Sequence, residues 1–507
     1  MPYRALRRLG CHRDLRVVFV LVLCIGAMLF LSNIYQLHMM QGQCICKLQQ
    51  PATTESSQQP IVCIHALNLQ TGYLKHVTNV FSRIGYKRGS PNDSWDVLWV
   101  HAYPFVDKQL QLFNLKWHQK VNHFPGGGYV TRKASLAMAD LSFIPRSFKI
   151  PEKKDALLNY IKIHPDQKWV QKSNNHRGVR IKTSEELNLT NPNTFVQEYI
   201  GNPYLIDGRM FDIGLYVTLT SIDPLRVYVH EAEWLLRFCP HEYYPFDPQD
   251  ILKYVITDNY LPVWKVDSLS RSYNDLKASA KVSLLTYMKN QGKDTEKLQN
   301  DLMSAVREVY LTMEKHFIAE TNAYASRRNF FEMVRFDFIL DEHLKVYLLE
   351  VNMSPNLSSA HFPRNKLMYE QVVFSMFSLV GIARQGTAGY TQRVTDETNM
   401  QVSDRDVSVY ADQCSSKLCE DDCTLQACRV CLPCLGPNDM DTVKLAYLEH
   451  INRKTWKRIF PSPFTSQHMA TRWRRDNNSE FAKLNSKNRL MTMWFLGKCL
   501  QDDSWCS

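Results

Sequence analysis

The residues best placed to do chemistry lie in RFDFILDEHLKVYLLEVNMSPNL (335–357). Two apolar, alternating runs flank Glu342–Lys345, which is the pattern of a β-hairpin. A turn centred between His343 and Leu344 sets Asp337 across from Glu350. Glu350 and Asn352, two apart on one strand, share a face. Three oxygen-bearing side chains then converge, and hard oxygen donors suit Mg²⁺ that also carries nucleotide phosphates. The same alternation equally suits the solvated polar face of an antiparallel sheet.

A second candidate is KWVQKSNNHRGVRI (168–181), in which a strand delivers Lys172 and a polar loop with Gly178 follows. A lysine ahead of a glycine-containing loop can meet phosphates while loop amides cradle them. The spacing is not that of a Walker A loop, and a lysine at a strand edge is often simply solvated.

These segments need a scaffold, and residues 61–385 alternate strand-like and helix-like patterns without a regular βαβ beat. That mixture predicts an α+β body rather than a doubly wound sheet. Residues 194–219 are β-rich. Residues 298–325 read as a helix with apolar positions Leu302, Val306, Val309, Tyr310 and Met313.

In this order, NHFPGGGYVTRKASL (122–136), KWVQKSNNHRGVRI, FVQEYIGNPYLIDGRMFDIGLYVTLTSIDPLRVY (195–228) and FDFILDEHLKVYLLEVNMSPNL (336–357) resemble the tubulin–tyrosine ligase-like family. The resemblance implies an ATP-grasp fold and the joining of an amino acid, glutamate foremost, to a protein carboxylate. ATP and Mg²⁺ are the implied cofactors, and an acidic protein tail, tubulin's among the candidates, is the implied acceptor. In that chemistry the γ-phosphate of ATP passes to the carboxylate, and the amine of the incoming amino acid then attacks the acyl phosphate.

By this resemblance Asp337, Glu350 and Asn352 look like the Mg²⁺ ligands, and Lys133 and Lys172 like the phosphate-contacting lysines. Gln197, Glu198, Tyr199 and Ile200 look like the hinge whose backbone reads adenine. Asp212 and Arg237 match positions that handle the amino acid. Catalytic roles fall to Lys172, Asp212, Arg237 and Glu350.

The departures are as informative. Where the family has KFD-x-R, this chain has Met210-Phe211-Asp212-Ile213-Gly214, losing a nucleotide-contacting lysine and an arginine that helps hold substrate or phosphoryl charge. The family's His-Leu-Thr-Asn block is unrecognisable in YVITDNYLPVW (254–264), where Asp258 or Asn259 are possible remnants. Arg180, after the Lys172 loop, is a candidate replacement charge. The magnesium set is complete while the substrate-charge set is depleted, so an ATP-grasp shell that binds without turnover competes with an active ligase.

The chain has 507 residues, too many for one ordinary domain, with 61 Lys and Arg against 50 Asp and Glu. The resulting +11 sits at the ends: residues 1–16 carry +4, residues 441–507 carry +6, and the 424 residues between hold +1. A nearly neutral body argues against nucleic-acid binding.

Arg16 precedes VVFVLVLCIGAMLFL, and no charge follows until Lys47. Residues 17–37 have the length of about 20 apolar residues that crosses a bilayer. The expected layout is a basic cytosolic tail (1–16), a single transmembrane helix (17–37), a stalk (38–60), the ligase body (61–385) and a Cys-rich basic region (386–507). Five arginines ahead of the helix orient it as a single-pass type II membrane protein with a luminal or extracellular body. A cytosolic body would require an inverted anchor, and a cleaved signal peptide would leave the body on the luminal side.

Cys414, Cys419, Cys423, Cys428, Cys431 and Cys434 cluster, and Cys499 and Cys506 close the chain. A luminal setting favours disulfides, with zinc as the alternative. N-x-S/T sequons begin at Asn92, Asn188, Asn352, Asn356 and Asn477. Asp439-Met440-Asp441 could serve a luminal transferase of another class as a metal motif. The basic tail could meet an acidic acceptor or form a solvated surface around Trp456, Trp473, Trp494 and Trp505.

Overall fold

The computed structural model describes residues 59–66, 72–90, 93–106, 110–173, 180–384, 400–426, 428–475 and 479–507. The expected transmembrane segment 17–37, its basic tail and almost all of the stalk lie outside the described residues, as do Asn92, Gly178 and Asn477. Among the described residues no helix is long and apolar enough to cross a membrane.

The body is mixed α and β, built on three sheets. Strands β1 (Ile61–His65), β2 (Lys87–Arg88), β3 (Val97–Val100) and β4 (Lys120–Val121) form a small parallel sheet in the order β2-β1-β3-β4. Strands β5 (Ser147–Ile150), β6 (Trp169–Ser173), β7 (Ile181–Lys182) and β8 (Thr194–Glu198) form an antiparallel sheet in the order β5-β8-β6-β7. The helix Lys154–Ile163 closes one face of that sheet by burying Leu157 against Phe148, Ile150, Trp169 and Val196.

The third sheet comprises β9 (Phe211–Ile222), β10 (Leu225–His230), β11 (Leu235–Phe238), β12 (Leu261–Pro262), β13 (Glu332–Leu340), β14 (Val346–Met353) and β15 (Trp456–Phe460). Strand β9 is its axis. Strands β11 and β10 pair with successive halves of one edge of β9, and β13 runs along the other.

Alternation sorts the side chains of this sheet. Ile213, Leu215, Val217 and Leu219 of β9 and Val334, Phe336 and Phe338 of β13 enter the main core. There they meet the helix Thr295–Thr321 through Leu302, Val306, Val309, Tyr310, Met313 and Phe317. The Asp294 side chain caps this helix by accepting from Lys297 N at 2.8 Å. Asp212, Gly214, Arg335 and Asp337 fall, by the same alternation, on the opposite face.

The β13–β14 hairpin forms with Asp337 paired to Glu350, as the sequence implies, but by a different route. Next to the turn Leu340 pairs with Val346, which centres the turn on His343. Carried on without interruption, that register would set Leu349 across from Asp337. A shift between Asp337 and Phe338 inserts one extra residue, so Leu348 and Val351, three apart, both reach the core and Glu350 turns to the Asp337 face.

The C-terminal region is tied to the body. Strand β15 pairs with β10 at the edge of the central sheet, and Trp456 is buried against Phe377 and its neighbours. The helices Pro437–Ile451 and Ser486–Gln501 share a core of Val443, Ala446, Met491, Trp494, Phe495 and Trp505. Trp456, Trp494 and Trp505 are therefore buried rather than solvated. The cysteines are paired as Cys414–Cys431, Cys419–Cys428, Cys423–Cys434 and Cys499–Cys506.

Candidate functional site

Across the central sheet one row of paired residues reads Leu235, Gly214, Asp337, Glu350, and the next reads Tyr216, Arg335, Asn352. Arg237 on β11 pairs with Asp212 on β9. Residues opposite one another in register share a face, so these strands assemble a charged patch without any help from loops.

Asp337 is its most constrained member, with a side chain only 2% exposed. Its oxygens accept from Arg335 Nε at 2.6 Å, Arg335 Nη2 at 2.8 Å, Arg237 Nη2 at 2.8 Å and Asn352 Nδ2 at 2.8 Å. Glu350 is more open, at 28% exposed, and meets Lys133 Nζ at 2.5 Å and Asn352 Nδ2 at 3.1 Å. Burial pushes Glu350 up, but the Lys133 ammonium overrides it and holds the carboxyl down at about 2.

This donor set fits a hard divalent cation. The Asn352 amide nitrogen bridges the two carboxylates, and half a turn about its last bond would offer its oxygen beside theirs. Among the described residues no group of three His, Cys, Asp or Glu is suited to a metal. The candidate set has an asparagine as its third member.

Lys133 opens the short helix Lys133–Ala137, and Lys172 stands on β6. Lys172 Nζ donates to Gln197 Oε1 at 2.7 Å, and the Gln197 amide donates to Ser147 Oγ at 3.0 Å. Burial pushes the Lys172 ammonium down to about 8, and the positive charge of Lys133 adds to the shift. Two lysines and a carboxylate thus face one another at the junction of two sheets, which suits a polyphosphate.

The four hinge residues divide. Gln197 positions Lys172. Glu198 points its carboxylate away, accepting from Tyr160 Oη at 2.5 Å and Arg146 N at 3.3 Å, and its own N–H donates to the Arg146 carbonyl. The Tyr199 N–H donates to the Lys168 carbonyl, and its side chain meets Tyr243 Oη at 2.8 Å. Ile200, whose N–H has no partner among the described residues, borders an apolar cluster of Ile181, Met210, Tyr254, Ile339 and Leu349. That cluster suits the face of a purine, and Met210 is buried in it where a lysine would be costly.

On the other side of Glu350 and Asn352 opens a cavity of about 640 Å³. Arg237, Arg335, Arg180, Tyr73, Asp258 and His361 are among its lining residues. Arg237 is held by Asp212 through Nε at 3.0 Å and Nη2 at 2.5 Å. Burial pushes the Asp212 carboxyl up to about 6, against the pull of Arg237. Arg180 and Asp258 are both exposed at the rim.

The sequence reading had no role for Arg335. Its signal was there, since it lies two residues before Asp337 and so on the same face. Asp439 and Asp441 stand two apart on the helix Pro437–Ile451, and Asp441 is tied to Arg328 at 2.8 Å.

Residues 111–387 match the Tubulin-tyrosine ligase family. The chain belongs to the tubulin-tyrosine ligase family. A Caenorhabditis elegans protein, Probable tubulin polyglutamylase ttll-15, is 36% identical over 448 residues, covering 86% of this chain and 84% of that protein. Tubulin monoglutamylase TTLL4 of Homo sapiens is 28% identical over 325 residues, which is 60% of this chain and 26% of that protein. Tubulin polyglutamylase TTLL6 of Mus musculus is 28% identical over 318 residues, 58% of this chain and 37% of that protein. The match to the tubulin-tyrosine ligase family spans every candidate residue from Lys133 to Asn352.

Proposed function

We propose that this chain is an ATP- and Mg²⁺-dependent ligase that adds glutamate to a carboxylate of an acidic protein segment. The carrying observation is the convergence of Asp337, Glu350 and Asn352 with Lys133 on one side and Arg237 on the other. Asp337, Glu350 and Asn352 would hold Mg²⁺, which supplies charge neutralisation for phosphoryl transfer. Lys133 and Lys172 bind and orient the phosphates. The apolar cluster at Ile200 takes the base. Arg237, fixed by Asp212, offers a preorganised cation to a substrate carboxylate, and the cavity holds the reacting groups away from bulk water.

The test is the full chain incubated with ATP, Mg²⁺, labelled glutamate and either tubulin or a luminal protein extract. Incorporation that Glu350→Gln removes supports the ligase. No incorporation into either acceptor, with the two proteins indistinguishable, defeats it. Met210 favours a competing reading, a shell that binds nucleotide without turnover. ATP binding with no Glu350-dependent transfer would establish that alternative.

We also propose a single-pass type II anchor at 17–37 and a luminal body. The five preceding arginines, the four disulfides and the exposed sequon at Asn188 support it. The acceptor is then a secretory-pathway protein. A glycan on Asn188 together with protease protection is the expected result. A protease-accessible, unglycosylated body would return cytosolic tubulin as the acceptor.

A further inference from the structure

The depleted substrate side has a specific repair. Gly214 leaves a gap in the charged patch, directly paired with Asp337 and flanked by Leu235. A Cβ at position 214 would stand 3.0 Å from Arg335 Cδ, 3.3 Å from Arg335 Nε and 3.3 Å from Leu235 Cβ. The Arg335 side chain, starting one row away on the neighbouring strand, therefore crosses diagonally over the bare backbone of Gly214. A long side chain spans the distance between diagonal cross-strand neighbours.

We propose that Arg335 is a substrate-binding residue of this ligase, reading a carboxylate of the incoming amino acid from the place an arginine at 214 would otherwise serve. The cation has moved from β9 to β13, and Gly214 is the vacancy that admits it. Arg335 lines the cavity together with Arg237. Its Nε and Nη2 are committed to Asp337, while Nη1 has no partner among the described residues. Its planar guanidinium is thus locked by one carboxylate and still has donors left for another. Lys133 and Lys172 are not among the residues that line this cavity, and Glu350, bonded to Lys133, stands between the lysines and Arg335.

The inference rests on the ligase reading, and its test separates the two. Glutamate binding to the full chain, with ATP and Mg²⁺ present, is measured by calorimetry for wild type, Arg335→Gly, Gly214→Arg and the reciprocal double variant. Arg335→Gly should weaken glutamate roughly ten- to hundredfold, the loss of one charge-assisted contact. Nucleotide affinity, measured in parallel without Mg²⁺ so that the Asp337 ligand set is not read, should fall by less than glutamate affinity does. Gly214→Arg alone should also weaken glutamate, because the two side chains compete for one space. The double variant should recover most of the affinity and the melting temperature of wild type.

Three results would overturn the inference: Arg335→Gly binding glutamate as wild type does, a folded double variant with no recovery, or wild type binding ATP but no glutamate. Glutamate binding that depends on Arg335 without any transfer would keep the inference and defeat the ligase reading instead.

Discussion

Among the described residues, two buried arginine–carboxylate clusters sit on the central sheet, and the first lines the cavity beside Glu350. In the candidate site, Arg237 and Arg335 hold Asp212 and Asp337 beside about 640 Å³ of open space. On the neighbouring strand β10, Arg226 meets Glu449 at 2.7 and 2.9 Å, and Tyr228 and Thr220 also donate to that carboxylate. The second cluster is sealed between β10 and the helix Pro437–Ile451. The bonding chemistry is the same in both. What differs is whether spare hydrogen-bonding capacity is directed at a space a ligand can enter. A buried ion pair alone therefore does not mark a site.

Glu350→Gln breaks the comparison most directly on the open side. It removes the charge that meets Lys133 and one proposed oxygen ligand while keeping the shape. The transfer rate should fall by about a thousandfold, the scale of losing electrostatic stabilisation of a transferring phosphoryl group. Stability to denaturant should fall by less than it does in Glu449→Ala, because Glu350 and Lys133 both keep partial access to solvent. A large loss of stability would mean that the site holds the sheet together rather than doing chemistry.

Glu449→Ala is the opposite experiment. It leaves the Arg226 guanidinium buried and uncompensated and the Tyr228 hydroxyl without its acceptor, while Thr220 keeps its 3.4 Å bond to the Arg226 carbonyl. Stability to denaturant should fall by about 3–5 kcal/mol. The transfer rate per folded molecule should stay at the wild-type value. A selective loss of transfer without loss of stability would place the sealed cluster in the mechanism.

Lys172 sharpens the comparison through pH. Its ammonium is pushed down to about 8, so it is charged below that value and neutral above it. Nucleotide affinity should be flat near neutrality and fall up to about tenfold per pH unit above about 8, since a neutral amine no longer attracts phosphate. Bound phosphates favour the charged form, so occupancy at high nucleotide concentration should persist to higher pH than occupancy at low concentration. A Lys172→Arg variant, charged throughout, should lose the alkaline decline. An unchanged profile in that variant would assign the decline to another group.

Much of this arrangement was legible in the sequence, and what was missed has physical causes. The existence of the β13–β14 hairpin and the core face of Thr295–Thr321 follow from local periodicity, which short segments carry on their own, whereas the pairing of Asp337 with Glu350 depends on the register shift. The bulge beside Glu350 leaves no trace in the alternation until Leu348 and Val351 are seen to share the core. Arg335 escaped notice because its importance depends on the gap at Gly214, more than a hundred residues away. The pairing of β15 with β10 is set by contacts between residues far apart in the chain, and the partners of the six clustered cysteines are one choice among several that their spacing leaves open.

The smallest effect belongs to Asp441, and it tests whether the comparison extends to the surface. Its ion pair with Arg328 leaves the two side chains 59% and 38% exposed, so solvent screens most of the attraction. Asp441→Asn should change stability by no more than about 0.5 kcal/mol, the usual worth of an exposed pair. It should also leave transfer and its Mg²⁺ dependence untouched, because Asp441 contacts none of the groups that bind nucleotide or amino acid in the site proposed here. A shifted Mg²⁺ requirement in Asp441→Asn would revive Asp439 and Asp441 as a metal motif and move the chemistry away from Glu350. Buried pairs that enclose no space would then govern stability, exposed pairs would govern metal binding, and the Arg237–Arg335 cluster would lose its claim to substrate.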